Sequence, residues 1–99
     1  MQTTEKTKIE AFVAAHSNWK EDRNNTALTA EFQLISFPAA ISFMMEIAIY
    51  ADKMNHHPEW FNVYNKVRIT LTTHDAGGLT ELDLQLAEKI NKIVNRVGI

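Results

Sequence analysis

Apolar residues along this chain recur with two different periods, and the changes of period divide it into elements. Ile9, Phe12, Val13 and His16 fall at i, i+3, i+4 and i+7, the spacing of one helix face, with Thr3 or Thr4 as N-cap and Ser17-Asn18 as the exit. Trp19 to Asp22 then reads as a short strand and Arg23-Asn24-Asn25-Thr26 as a turn. Leu28, Ala30, Phe32 and Leu34 alternate with Thr29, Glu31 and Gln33, the pattern of a half-buried strand.

Ser36 ahead of Phe37-Pro38 predicts a helix start, because proline in the first turn gives up an N–H that has no intrahelical partner. This helix should run to about Met54. Phe37, Ile41, Met44, Ala48 and Ala51 make one stripe, while Ala40, Phe43, Met45, Ile47 and Ile49 extend the apolar surface around most of the circumference. Such a helix is buried on several sides or faces another subunit.

Pro58 biases His57 toward extended backbone, so a second hairpin follows, with its turn expected at Asn65-Lys66. Phe61 and Val63 oppose Trp60, Asn62 and Tyr64, and Val67, Ile69 and Leu71 oppose Arg68, Thr70, Thr72 and His74. Asp75-Ala76-Gly77-Gly78 is a loop. Thr80-Glu81-Leu82-Asp83 fits a capping box opening a last helix, with Leu82, Leu86, Ile90, Ile93 and Val97 on its inner face and Gly98 as its stop. The order α-β-β-α-β-β-α predicts an α+β fold: a four-stranded antiparallel sheet with helices packed on one face, in a single domain over 1–99.

Composition narrows the chemistry. With 45% hydrophobic and 22% charged residues among 99, the chain has enough apolar surface to fold by packing. Zero cysteines exclude disulfides, thiolate nucleophiles and thiolate metal sites. Interspersed charges, a net charge of −2 and a pI near 6.0 argue against direct nucleic-acid binding. The polar N-terminus lacks a secretory pattern and the longest apolar stretch, Phe37 to Ala51, is short for a membrane span, so a soluble cytoplasmic protein with no membrane partner is expected.

His56, His57 and His74 cluster around the second hairpin, with Asp52, Asp75 and Asp83 nearby in sequence. Surface loops attract His and Asp for solubility and turn formation, so any one of these residues alone is ordinary. Several imidazoles around one pocket suit general acid-base catalysis, since histidine both gives and takes a proton near neutral pH. Zinc is the competing reading, and three imidazoles with an open fourth position would suffice. It ranks lower, because no His pair sits at i, i+4 on a helix and adjacent His56 and His57 point apart on an extended chain. No metal is expected, and with no G-x-S-x-G elbow or Gly-rich phosphate loop, nucleophilic catalysis ranks lower still.

From Asp52 to Asp83 the sequence DKMNHHPEWFNVYNKVRITLTTHDAGGLTELD closely resembles the signature of the pterin-4a-carbinolamine dehydratases. The signature couples an acidic residue, three intervening residues and His-His-Pro to a downstream Tyr, His and Asp, here Asp52, His56-His57-Pro58, Tyr64, His74 and Asp83. Trp19, the Phe32 strand and the Phe37-Pro38 helix extend the likeness more loosely. The resemblance implies elimination of water from a 4a-hydroxytetrahydropterin to a quinonoid dihydropterin, recycling the pterin of aromatic amino acid hydroxylases with no cofactor of its own. It implies His56 and His74 as alternative acids for the two faces of the substrate, and His57 as a pterin ligand and part of the base. Asp52 would hold His56 in one tautomer, and Asp83 would cap the last helix and orient His74. Trp19, Asn55, Pro58, Thr72, Thr73 and Asp75 would complete the pterin contacts, with Trp60 structural. Proteins resembling this family also serve as non-catalytic dimerisation partners of transcription factors, so a docking module is the alternative function. A homodimer or homotetramer is expected in either case, with a hydroxylase of the same pathway as a further partner.

Overall fold

The computed structural model describes residues 2–97. Its elements run α1 (Lys6–Ala15), β1 (Lys20–Asp22), β2 (Ala27–Gln33), α2 (Phe37–Lys53), β3 (Glu59–Val63), β4 (Lys66–Leu71) and α3 (Glu81–Val97), with a 3-10 turn at His74–Ala76. The four strands form one antiparallel sheet in the order β1-β2-β4-β3. This is the α+β architecture that the alternation predicts.

Register assigns the two faces of the sheet. Leu28 pairs with Leu71, Ala30 with Ile69 and Phe32 with Val67, so the alternating apolar residues of β2 and β4 share one face. They join Ile9 and Phe12 of α1, Phe43 and Ile47 of α2, and Leu86 and Ile90 of α3 in one buried cluster. The other face carries Thr29, Glu31, Lys66, Arg68 and Thr70. A sheet covered on one side requires just this alternation.

Several local expectations are corrected. Neither Thr3 nor Thr4 caps α1; Glu5 holds the N-cap position without a side-chain bond. Thr4 is committed elsewhere, its N–H donating to the Leu79 carbonyl and its hydroxyl to Glu81. His16 lies just past the end of α1, half-buried and stacked 4.4 Å from the Phe12 ring. The second hairpin turns at Tyr64-Asn65, with Val63 opposite Lys66. Tyr64 takes the positive φ of 53°, while the Asn65 amide donates to the Leu34 carbonyl and anchors the turn to β2's end.

The largest correction concerns α2, whose Ser36 cap accepts from the Ala39 N–H as expected. Its buried stripe is Ala40, Phe43, Ile47 and Ala51, whereas Phe37 and Ile41 of the predicted stripe are exposed together with Met45 and Ile49. A helix apolar all round does not itself say which side meets the sheet. In α3 Leu86, Ile90 and Ile93 of the expected inner face are buried, joined by Asp83, Leu84, Ala87 and Val94, while at its two ends Leu82 is half-buried and Val97 is exposed. Gly98 lies outside the described residues.

Candidate functional site

The site begins at the end of α2. Asn55 adopts φ 52°, a left-handed conformation that asparagine tolerates better than most residues. Its N–H donates to the Asp52 carbonyl, and the His56 N–H donates to the Ala51 carbonyl. These two bonds close a Schellman motif, which reverses the chain and turns His56 inward. Pro58 then holds the chain extended into β3, and His57 points the other way, into solvent. Asn55 is thus explained by the helix end it makes.

A second stretch meets the first from β4. After Leu71, the Thr72 hydroxyl donates to the Thr26 carbonyl, Thr73 bridges to Gly78, and His74 opens the 3-10 turn. Gly77 takes φ 73°, and Thr80 starts α3 as the capping box predicts. The Leu82 N–H donates to the Thr80 hydroxyl, and Asp83 Oδ2 accepts from the Thr80 N–H at 2.9 Å.

Asp83 does more than cap. Its Oδ1 lies 2.6 Å from His56 Nε2, and its Oδ2 also accepts from the Thr73 hydroxyl at 2.7 Å. The Thr80 hydroxyl in turn meets Thr73 Oγ1 at 2.8 Å. With Asp83 fully buried and His56 8% exposed, this network has little water to compete with it. It corrects two expectations, since Asp83 orients His56 rather than His74 and Asp52 does not reach His56. The Asp52 Oδ1 instead lies 3.2 Å from His57 Nε2.

His74 finds a third carboxylate, Glu59 of β3, with Nε2 3.3 Å from Oε2. Arg23, from the β1–β2 turn, grips Glu59 with both guanidinium nitrogens, at 2.6 and 3.0 Å. The bond from Arg23 holds the Glu59 carboxyl below the usual carboxylate range, and the same contact raises Arg23. Neither residue was a candidate from sequence. Strand parity was the available signal for Glu59, whose partner Thr70 lies on the uncovered sheet face. For Arg23, in a turn distant in sequence, there was none.

Each of the three clustered histidines therefore turns Nε2 to a carboxylate, one pair buried and two at the surface. Side chains of His57 and Asp52 are 60% and 83% exposed. A depression beside them is lined by Ile49, Ala51, Asp52, His57, Pro58 and Trp60. Asp75 is exposed in the 3-10 turn. Trp19 stands apart: it is fully buried, its indole N–H donating to Asn91 and its ring edge-on to Phe32, so in this structure it is part of the core. Among the described residues, no three of His, Cys, Asp and Glu gather as a metal ion would need. None of the described helices is long and apolar enough to cross a membrane.

Comparison with known proteins agrees with the site's residue pattern. A sequence model described as pterin 4 alpha carbinolamine dehydratase matches residues 2–93. A Rhizobium leguminosarum bv. trifolii protein named "Putative pterin-4-alpha-carbinolamine dehydratase" is 46% identical over 99 residues, covering 100% of this chain and 98% of its own. A Prochlorococcus marinus protein of the same name is 43% identical over 91 residues, covering 92% and 94%. The crystal structure of a transcriptional coactivator/pterin dehydratase from Brucella melitensis superposes with a TM-score of 0.88 at 39% identity, over 93% of this chain and 98% of that one. A pterin dehydratase-like protein identified as a RuBisCO assembly factor in the alpha-carboxysome shares the fold, at a TM-score of 0.67 and 20% identity over 79% and 90%. With the motif from Asp52 to Asp83 in place on this fold, the chain belongs to the pterin-4-alpha-carbinolamine dehydratase family.

Proposed function

We propose that this protein is a hydro-lyase that eliminates water from a 4a-hydroxytetrahydropterin by histidine acid-base catalysis, recycling the pterin spent by an aromatic amino acid hydroxylase in the cytoplasm. The observation that carries this reading is the set of three imidazoles, each with Nε2 on its own carboxylate. An imidazole held that way keeps Nδ1 for a substrate, as acceptor when neutral and as donor when protonated.

The reaction asks for little else. The bond from C4a to the departing hydroxyl breaks as a proton reaches that oxygen, and the N5–H electron pair forms the new N5–C4a double bond as a base takes its proton. No electrons leave the pterin, and water is the only other product. Their exposure supports His57 and His74 as the groups for these transfers, with His56, anchored through Asp83, just ahead of His57. In stopped flow, the purified protein should accelerate dehydration of freshly generated 4a-hydroxytetrahydropterin; an unchanged rate overturns the reading.

The apolar face of α2 supports a second property, assembly. Phe37, Ile41, Met45 and Ile49 are between 43% and 58% exposed along one side of a helix, an arrangement typical of interaction surfaces. It suits a homodimer or homotetramer and equally a docking role on another protein. Sedimentation should show an oligomer at micromolar concentration, and Met45→Glu should convert it to a smaller species.

A further inference from the structure

Of the three imidazoles, His74 has the least to hold it. Its side chain is 79% exposed, and it stands at the first position of a three-residue turn. A group that must present one nitrogen to a substrate loses rate when its ring is free to rotate. His56 is fixed by burial, and His57 has a carboxylate on the helix that precedes it. What fixes His74 lies across the sheet.

The uncovered face carries a row of registered residues: Lys20 opposite Thr29, Thr29 opposite Thr70, and Thr70 opposite Glu59. Thr29 and Thr70 are short, and their hydroxyls lie 3.2 Å apart. The row therefore leaves a shallow trough, lined by Asp22, Arg23, Thr29, Glu59, Arg68 and Thr70 among others. Through it Arg23 reaches from the β1–β2 turn to Glu59. Both carboxylate oxygens are taken by the guanidinium, Oε1 at 2.6 Å and Oε2 at 3.0 Å, and Oε2 is also the oxygen that faces His74 Nε2 at 3.3 Å. A two-point grip of this kind fixes the plane of the carboxylate as well as its position.

Arg23 is itself well anchored. It heads a run of three left-handed residues, Arg23, Asn24 and Asn25, at φ 53°, 56° and 67°. Its N–H donates to the Asp22 carboxylate, and its carbonyl accepts from the Thr26 hydroxyl at 2.7 Å. Non-glycine residues hold such backbone angles only where their surroundings demand them. The turn directs the Arg23 side chain over the sheet, toward the end of β3 where the site lies.

We propose that Glu59 is a positioning residue for His74 and that Arg23 clamps Glu59 in place. Glu59 holds the ring with Nε2 toward β3 and leaves Nδ1 to the pterin. Arg23 keeps the carboxylate from swinging and offsets its charge. The proposal rests on the dehydratase reading and adds to it a residue in each hairpin, so that the two hairpins share one catalytic group.

The test combines kinetics with the ring's own signal. Glu59→Gln should lower kcat roughly tenfold, the low end of the range seen for carboxylates that orient metal-ligating imidazoles, with KM unchanged. Arg23→Gln should lower kcat by a smaller factor. In the background of His74→Ala, neither substitution should lower kcat further, because residues acting through one group are not additive. Long-range proton-nitrogen spectra of His74 at pH 8 should report an Nε2–H tautomer in the unmodified protein and a shift toward the mixed state in Glu59→Gln. Additive losses in the doubles, or His74 signals unmoved by Glu59→Gln, would overturn the proposal. If the unmodified protein fails to accelerate dehydration, the reaction assignment falls on that result, while the nitrogen spectra still decide whether Glu59 holds His74.

Discussion

His56 and His57 are neighbours in sequence and opposites in environment. The His56–Asp83 pair is buried in a network with three further groups, the N–H and hydroxyl of Thr80 at the start of α3 and the Thr73 hydroxyl just past β4. The His57–Asp52 pair sits in water, with one bond of 3.2 Å joining residues five apart. Removing a partner from the first leaves buried polar groups without water to replace it, whereas the second loses a contact that solvent already weakens. The buried pair therefore contributes more to the fold than the exposed pair, and the exposed pair is the more open to a ligand.

The sharpest way to break this division is Asp83→Ala. It leaves His56 Nε2 and the Thr80 N–H unpaired and reduces the Thr73 hydroxyl to its contact with Thr80, and urea unfolding should show a loss of about 3 kcal/mol or more. Asp52→Ala should shift the same midpoint by less than about 0.5 kcal/mol. Equal losses would erase the distinction.

Next in size is His57→Ala. Turnover should fall by roughly a hundredfold, the low end for a positioned acid-base group, while the urea midpoint stays put. His16→Ala, outside the site, should show the reverse, with stability reduced through its stacking on Phe12 and turnover kept.

Asn55 sharpens the comparison from the backbone side. Asn55→Ala should destabilise by about 1 kcal/mol, the penalty for an ordinary side chain in left-handed geometry, and Asn55→Gly should not. If Asn55→Gly keeps full turnover, the asparagine serves the helix end and its amide is dispensable to the pterin.

The smallest effect concerns acid. Arg23 draws the Glu59 carboxyl down, and Lys8 does the same to Glu81, each from an ordinary value of 4.5. Depressed carboxyls lend stability that is present above that value and lost as pH falls through the lower folded one. Both pairs are exposed, so the decline from pH 5 to pH 3 should be shallow, and Arg23→Gln should flatten its Glu59 share. A decline that steepens in that variant would contradict the pairing.

Much of this molecule is written locally. Alternation in β2 and β4, Ser36-Phe37-Pro38, the capping box at Thr80 and the His-His-Pro motif each state their structure within a few residues. What could not be read depends on facts from elsewhere in the chain. Both faces of α2 are apolar, so the choice of Ala40, Phe43 and Ile47 over Phe37, Ile41 and Met45 is made by the sheet it meets. Asp52 is nearer His56 in sequence than Asp83 is, yet the Schellman turn at Asn55 reverses the chain and gives His56 to Asp83. The tie from Arg23 to Glu59 spans 36 residues and two hairpins.

Asp83 also shapes how this family can change. Because one carboxylate starts a helix and anchors an imidazole, a lineage cannot discard it without first finding another way to hold α3 and β4 together. His57 and His74 carry no such obligation, each standing at the surface on one carboxylate. A relative that has changed its surface imidazoles should therefore still keep the buried pair, as the hinge pin on which its helix turns into place.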